Sequence, residues 1–79
     1  GVNRARIIKM LHDRPYNAHQ LSKELDLDYK TVRHHIKILE DNKVIKPTGD
    51  SYSKLYFLTE EVEDNYNIFQ EIWDKFIEK

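Results

Sequence analysis

The chain has 79 residues, no cysteine and a formal net charge of −1. That length is one domain whose small core holds little stability in reserve, and the missing thiols exclude disulfides, thiolate metal ligands and cysteine nucleophiles. No apolar run approaches the roughly 20 residues of a membrane span and the first residues do not resemble a signal peptide, so a cytoplasmic protein without a membrane partner is expected.

The near-neutral total hides an asymmetry. Through Leu58 there are 11 Lys/Arg against 7 Asp/Glu, and from Thr59 onward 2 against 7. A basic body with an acidic end is expected when one face meets phosphate and the other end does something else.

Asn3 is placed to cap a first helix with Ala5, Ile7, Ile8 and Leu11 on its apolar stripe. Arg14-Pro15-Tyr16 ends it, because proline disfavours helix at the preceding residue. Asn17 then reads as an N-cap, with Gln20 where a capping box needs it. A short second helix turns Ala18, Leu21 and Leu25 inward. Asp26-Leu27-Asp28 is a tight connection in which Leu27 tucks into the core and Asp28 caps a third helix, Tyr29 to about Asn42. That helix buries Val32, Ile36 and Leu39. Two helices joined this closely form a helix-turn-helix.

The pattern then becomes β. Val44–Lys46 reads as a short strand, Pro47–Asp50 as a turn, and Ser53–Leu58 as a second strand. Leu55 and Phe57 lie on one face of it, Tyr56 and Leu58 on the other, and a further short strand near Tyr16 is expected beside this hairpin. Thr59 is placed to cap one last helix whose first turn holds Glu60, Glu61 and Glu63, where carboxylates suit the dipole. The expected fold is mainly α with a small β-hairpin wing, a winged helix-turn-helix of order α-α-α-β-β-α. Residues 1–58 would form the DNA-binding core and 59–79 a C-terminal dimerisation helix within the same domain.

The run LSKELDLDYKTVRHHIKILEDNKVI, followed by SKLYFLTEEV, resembles the ArsR-like winged helix-turn-helix regulators of archaea and bacteria, from about Ile7 to Val62. The resemblance implies a transcription regulator, acting by repression, whose third helix reads DNA. Two departures are visible. The cysteine pair of the family's thiolate metal sensors is missing, so metal sensing is not carried over, and the wing tip TGDSYS is poor in Arg and Lys.

On a helical wheel Lys30, Arg33, His34 and Lys37 fall opposite Val32, Ile36 and Leu39, on the half of the helix that enters a major groove. Arg33 can fork onto guanine O6 and N7; Lys30 and Lys37 can read bases less selectively or bind phosphate. Tyr29 and Thr31 offer hydroxyls to the DNA backbone. The bland alternative is a solvated helix face. The second helix offers a phosphate its N-terminal N–H groups, extended by His19, Gln20 and Lys23; on the wing Lys46, Lys54 and Tyr52 are candidates. His35, beside Val32 and Leu39, is expected to be partly buried and hydrogen-bonded within the domain. His34 and His35 are adjacent, project about 100° apart and cannot bind one metal as i, i+4 partners would; a zinc or pH-sensing site drawn from His12, His19, His34 and His35 stays open as the lesser alternative, and neither metal nor cofactor is expected.

The last helix repeats Val62, Tyr66, Phe69, Trp73 and Phe76 at spacings of four, three, four and three, with Ile68, Ile72 and Ile77 widening the stripe. It either covers its own domain or pairs two copies. Tyr66, Phe69, Ile72, Trp73 and Phe76 are assigned to pairing, because so much apolar surface is hard for a small domain to shield. No Gly-rich loop, carboxylate pair or catalytic triad suggests an enzyme. The expected partners are double-stranded DNA and a second copy of the chain. Two other classes stay open: a winged helix that contacts protein in a larger assembly, and a ligand- or metal-responsive sensor.

Overall fold

The computed structural model describes residues 2–49 and 54–76, with side chains up to Ile72. Helices α1 (Val2–Asp13), α2 (Ala18–Leu25) and α3 (Tyr29–Asp41) precede strands β1 (Ile45–Thr48) and β2 (Leu55–Leu58). Two further helical segments follow, α4 (Glu60–Asp64) and α5 (Tyr66–Phe76). The expected order is observed, with the last helix interrupted at one residue.

Local rules account for most boundaries. Around α2 the capping box is complete: Asn17 Oδ1 accepts from the Gln20 N–H at 2.7 Å and Gln20 Oε1 accepts from the Asn17 N–H at 2.9 Å. Asp26 ends α2 in the left-handed region at φ 54°, which aspartate tolerates better than most residues. Asp28 Oδ2 accepts from the Lys30 N–H at 3.0 Å and opens α3. Between the helices Ser22 Oγ donates to the Leu27 carbonyl at 2.6 Å, while the Leu27 N–H donates to the Ser22 carbonyl at 3.0 Å. Those two bonds set the angle of the turn, and Leu27 packs on the core.

Two capping expectations are corrected. Helix α1 already begins at Val2, so Asn3 sits inside its first turn and accepts from Arg6 Nη1 at 3.2 Å instead of capping. Thr59 precedes α4 but makes no side-chain cap bond; its hydroxyl donates at 2.9 Å to the carbonyl of Lys43, a left-handed residue in the turn after α3. The break at Asn65 also has a local cause. Its side-chain amide donates to the Glu61 carbonyl at 2.8 Å, the kind of competition with the backbone ladder that asparagine offers.

The core is built from Ile7 and Leu11 of α1, Ala18, Leu21 and Leu25 of α2, Val32, Ile36 and Leu39 of α3, and Ile45, Tyr56 and Leu58 of the hairpin. Every inward position expected on α2 and α3 is buried. The strands pair antiparallel, Ile45 with Leu58 and Pro47 with Tyr56. Pro47 and Thr48 therefore belong to β1 and not to the turn, which an edge strand permits because a proline there costs no ladder donor. Tyr16 joins β2 by one bridge, its carbonyl accepting from the Tyr56 N–H at 2.9 Å; the strand expected there is this single residue. Among the described residues no helix is long and apolar enough to cross a membrane.

Candidate nucleic-acid interface

Burial of Val32, Ile36 and Leu39 decides what α3 shows to solvent. With those three side chains at most 5% exposed, the 3.6-residue period turns Lys30, Thr31, Arg33, His34 and Lys37 outward, and all five are exposed. A groove of about 480 Å³ runs between this face and the start of β2, lined by Lys30, Arg33, His34, Lys37 and Lys54 with the carboxylates Glu40 and Asp41 at one end. A smaller adjoining pocket of about 260 Å³ lies where the start of α2 meets α3 and β2, lined by Asn17, Ala18, His19, Tyr29, Arg33, Lys54 and Tyr56. Arg33 and Lys54 border both. The fold thus gathers bases from three elements onto one side.

Several of these side chains already have partners. Arg33 Nη1 donates to the Tyr56 hydroxyl at 2.7 Å, and this bond, more than any other contact, raises the arginine pKa above its ordinary value. Lys37 Nζ lies 3.8 Å from Asp41 Oδ2, with both side chains largely exposed; such a pair contributes little and leaves the lysine available to an anion. The rings of His19 and Tyr29 stack at 4.3 Å with an interplanar angle of 17°, joining the start of α2 to the start of α3. Gln20, a candidate for phosphate contact, is engaged by the capping box. Lys46 is exposed on the edge strand β1, away from the residues lining the groove. Tyr52 lies outside the described residues.

His35 departs from expectation. It is half-buried, but its Nδ1 is buried without a hydrogen-bond partner among the described residues. Burial lowers its pKa, and the nearby charges of Arg4 and His34 act in the same direction. The neutral ring is the form this site favours.

The C-terminal segments divide the apolar stripe. Tyr66 packs against the core and stacks on His12, ring centroids 3.5 Å apart, while His12 Nδ1 lies 2.7 Å from Glu63 Oε1. Phe69 is half-buried beside Tyr66. Ile68 and Ile72 are 57% and 53% exposed. They line, with Ile8, Val44, Val62 and Phe69, an apolar cleft of about 500 Å³ between α1, the turn after α3, and α4–α5. The side chains of Trp73 and Phe76, and the whole of Ile77, lie outside the described residues.

Sequence reasoning missed three contributors. Tyr56 was legible only as sharing a strand face with Leu58, with nothing to say which face is inward; a buried tyrosine hydroxyl needs a partner, but nothing local names Arg33. Ile68 was visible only as a flank of the stripe. The His12–Glu63 contact joins residues 51 positions apart and leaves no sequence signal.

Three helices with a three-residue connection, Asp26–Asp28, between the second and third, followed by a β-hairpin beside the third, define a winged helix-turn-helix. The model for the bacterial regulatory proteins of the arsR family matches residues 1–46. The chain belongs to that family, one of regulators and not of enzymes. Similar solved structures include the transcriptional regulator HlyU from Vibrio vulnificus, 20% identical with a TM-score of 0.78 over 92% of this chain and 77% of that one. Another is the homodimeric winged helix-turn-helix DNA-binding domain of Mb0332 from Mycobacterium bovis, 13% identical with a TM-score of 0.83 over 98% and 72%. ZitR from Lactococcus lactis is 18% identical, with a TM-score of 0.73 over 95% and 67%. No curated protein matches the chain. At these identities the structural likeness is one of fold. The chain is a regulatory protein by family and a winged helix-turn-helix by fold.

Proposed function

We propose that the chain is a sequence-specific repressor that binds double-stranded DNA as a homodimer, laying α3 in the major groove. The observation that carries this reading is the outward row of Lys30, Arg33, His34 and Lys37, set opposite the buried Val32, Ile36 and Leu39 on the second helix of a helix-turn-helix. A helix placed this way presents its N-terminal half to base edges. Arg33 and His34 are assigned to bases, and Lys30 and Lys37 to bases or flanking phosphates. Tyr29, Thr31 and His19 contact the backbone near the start of α2, and Lys54 and Lys46 reach sugar-phosphate from the wing.

Pairing is assigned to the C-terminal end, residues 59–79, with 1–58 as the reading unit. Support comes from Ile68 and Ile72, more than half exposed on one helix, and from the homodimeric state of the Mb0332 domain. Phe69 lines the cleft beside them, and Trp73 and Phe76 extend the stripe in sequence. Tyr66, spent largely on His12, borders this surface. Two α3 helices related by a dyad would enter successive major grooves roughly 34–36 Å apart, so the operator should be an inverted repeat. Repression follows if that operator overlaps a promoter.

Selection of duplexes from a random library, with the mass of the free protein measured alongside, tests the reading. The expected result is an inverted repeat bound by a dimer, and a reporter placed downstream of that repeat is silenced. No duplex affinity even at low salt would instead point to a winged helix that contacts protein.

A further inference from the structure

Arg33 is the groove residue whose guanidinium is tied to the core. Its partner, Tyr56, is held from several sides. The side chain is 1% exposed, its N–H donates to the Tyr16 carbonyl, and its strand position faces Pro47. The hydroxyl is therefore a fixed point beneath the junction of α3 and the wing. A guanidinium has five N–H donors in a planar fork. One bond from Nη1 to Tyr56 leaves the Nε and Nη2 edge able to make a two-bond contact, but it restricts the direction in which that edge points.

We propose that Tyr56 is a positioning residue for base recognition: buried too deeply to touch DNA, it aims the Arg33 guanidinium through the 2.7 Å hydroxyl bond and so sets how sharply one base pair is discriminated. This rests on the groove-reading assignment of α3. An untethered arginine must give up many rotamers on contact, whereas one held in place beforehand loses fewer and rejects a misplaced acceptor more strongly. The same bond joins α3 to β2 just past Lys54, which borders both clefts with Arg33. Wing and reading helix are thereby held in one register.

The test compares unmutated protein, Arg33→Ala, Tyr56→Phe and the double variant for binding to the selected operator and to every single-base-pair substitution of it. Arg33→Ala should flatten discrimination at one base pair by about tenfold, within the range for a two-bond contact. Tyr56→Phe, which keeps the ring in the core, should flatten the same base pair by about three- to fivefold. The double variant should be no worse than Arg33→Ala. A purely structural tyrosine would lower the melting temperature without moving that ratio. Discrimination lost in Arg33→Ala but intact in Tyr56→Phe overturns the positioning role and leaves the groove reading standing; a uniform effect of Arg33→Ala on all duplexes overturns the base-reading assignment of Arg33 itself. A measurement on the unmutated free protein does not depend on any variant folding. The Arg33 Nε–H order parameter should approach that of rigid backbone, and a freely mobile guanidinium overturns the proposal.

Discussion

His12 and Glu63 meet at 2.7 Å across 51 residues of sequence, and through that contact the end of α1 grips α4. The histidine ring also lies nearly parallel to Tyr66, at 5° between planes. Both side chains of this hydrogen bond are more than two-fifths exposed, so it contributes little, and the stacked rings supply most of the grip, about 0.5–1.5 kcal/mol for an aromatic pair. His12→Ala is therefore expected to destabilise the domain by about 1 kcal/mol in urea unfolding, and Glu63→Gln by less. Equal losses would mean that the His12–Glu63 hydrogen bond, not the stack, holds α4–α5 in place.

Opposite sides of α3 should respond oppositely. Ile36→Ala opens a cavity at a site with no exposure and should cost about 2–5 kcal/mol, a large share of the total for a domain this small. Lys37→Ala, one residue along, should leave stability within about 0.5 kcal/mol. If it binds a phosphate, its loss weakens all duplexes alike and reduces the salt slope by about one. Binding isotherms across a salt series read both.

The site of His35 makes an acid dependence. Its pKa is lowered in the folded state, while the unfolded chain titrates near the ordinary value of about 6.5. Between those two values the unfolded state binds more protons, so stability is complete above about pH 6.5 and declines as pH falls toward the lowered value. His35→Leu should remove this part of the pH dependence. Urea midpoints at pH 7.5 and pH 5.5, compared between the variant and the parent, isolate it from the other histidines; parallel shifts in the two proteins would count against the assignment.

Ile68 and Ile72 offer a clean probe of pairing because both are already more than half exposed in the single chain. Changing both to Glu should leave circular dichroism unchanged and convert a dimer to a monomer in sedimentation. Affinity for the inverted repeat should then drop to that of a single half-site. A dimer that survives both substitutions has its interface elsewhere.

Much of this protein was readable in short windows of text. The Asn17–Gln20 box, the Asp28 cap, the alternation of β2 and the inward rows of α2 and α3 depend on residues no more than a few positions apart, so periodicity and capping chemistry specify them before any tertiary contact exists. The outward row from Lys30 to Lys37 follows from the same arithmetic. The Thr59 hydroxyl is different: it chose a carbonyl 16 residues back over its own helix. Arg33 found its partner 23 residues on, His12 found Glu63, and among the described residues His35 Nδ1 was left without the bond expected of it. A donor or acceptor takes whichever partner packing brings within about 3 Å. Which segments come that close is settled by how helices and hairpin share one small core, and no local pattern records it.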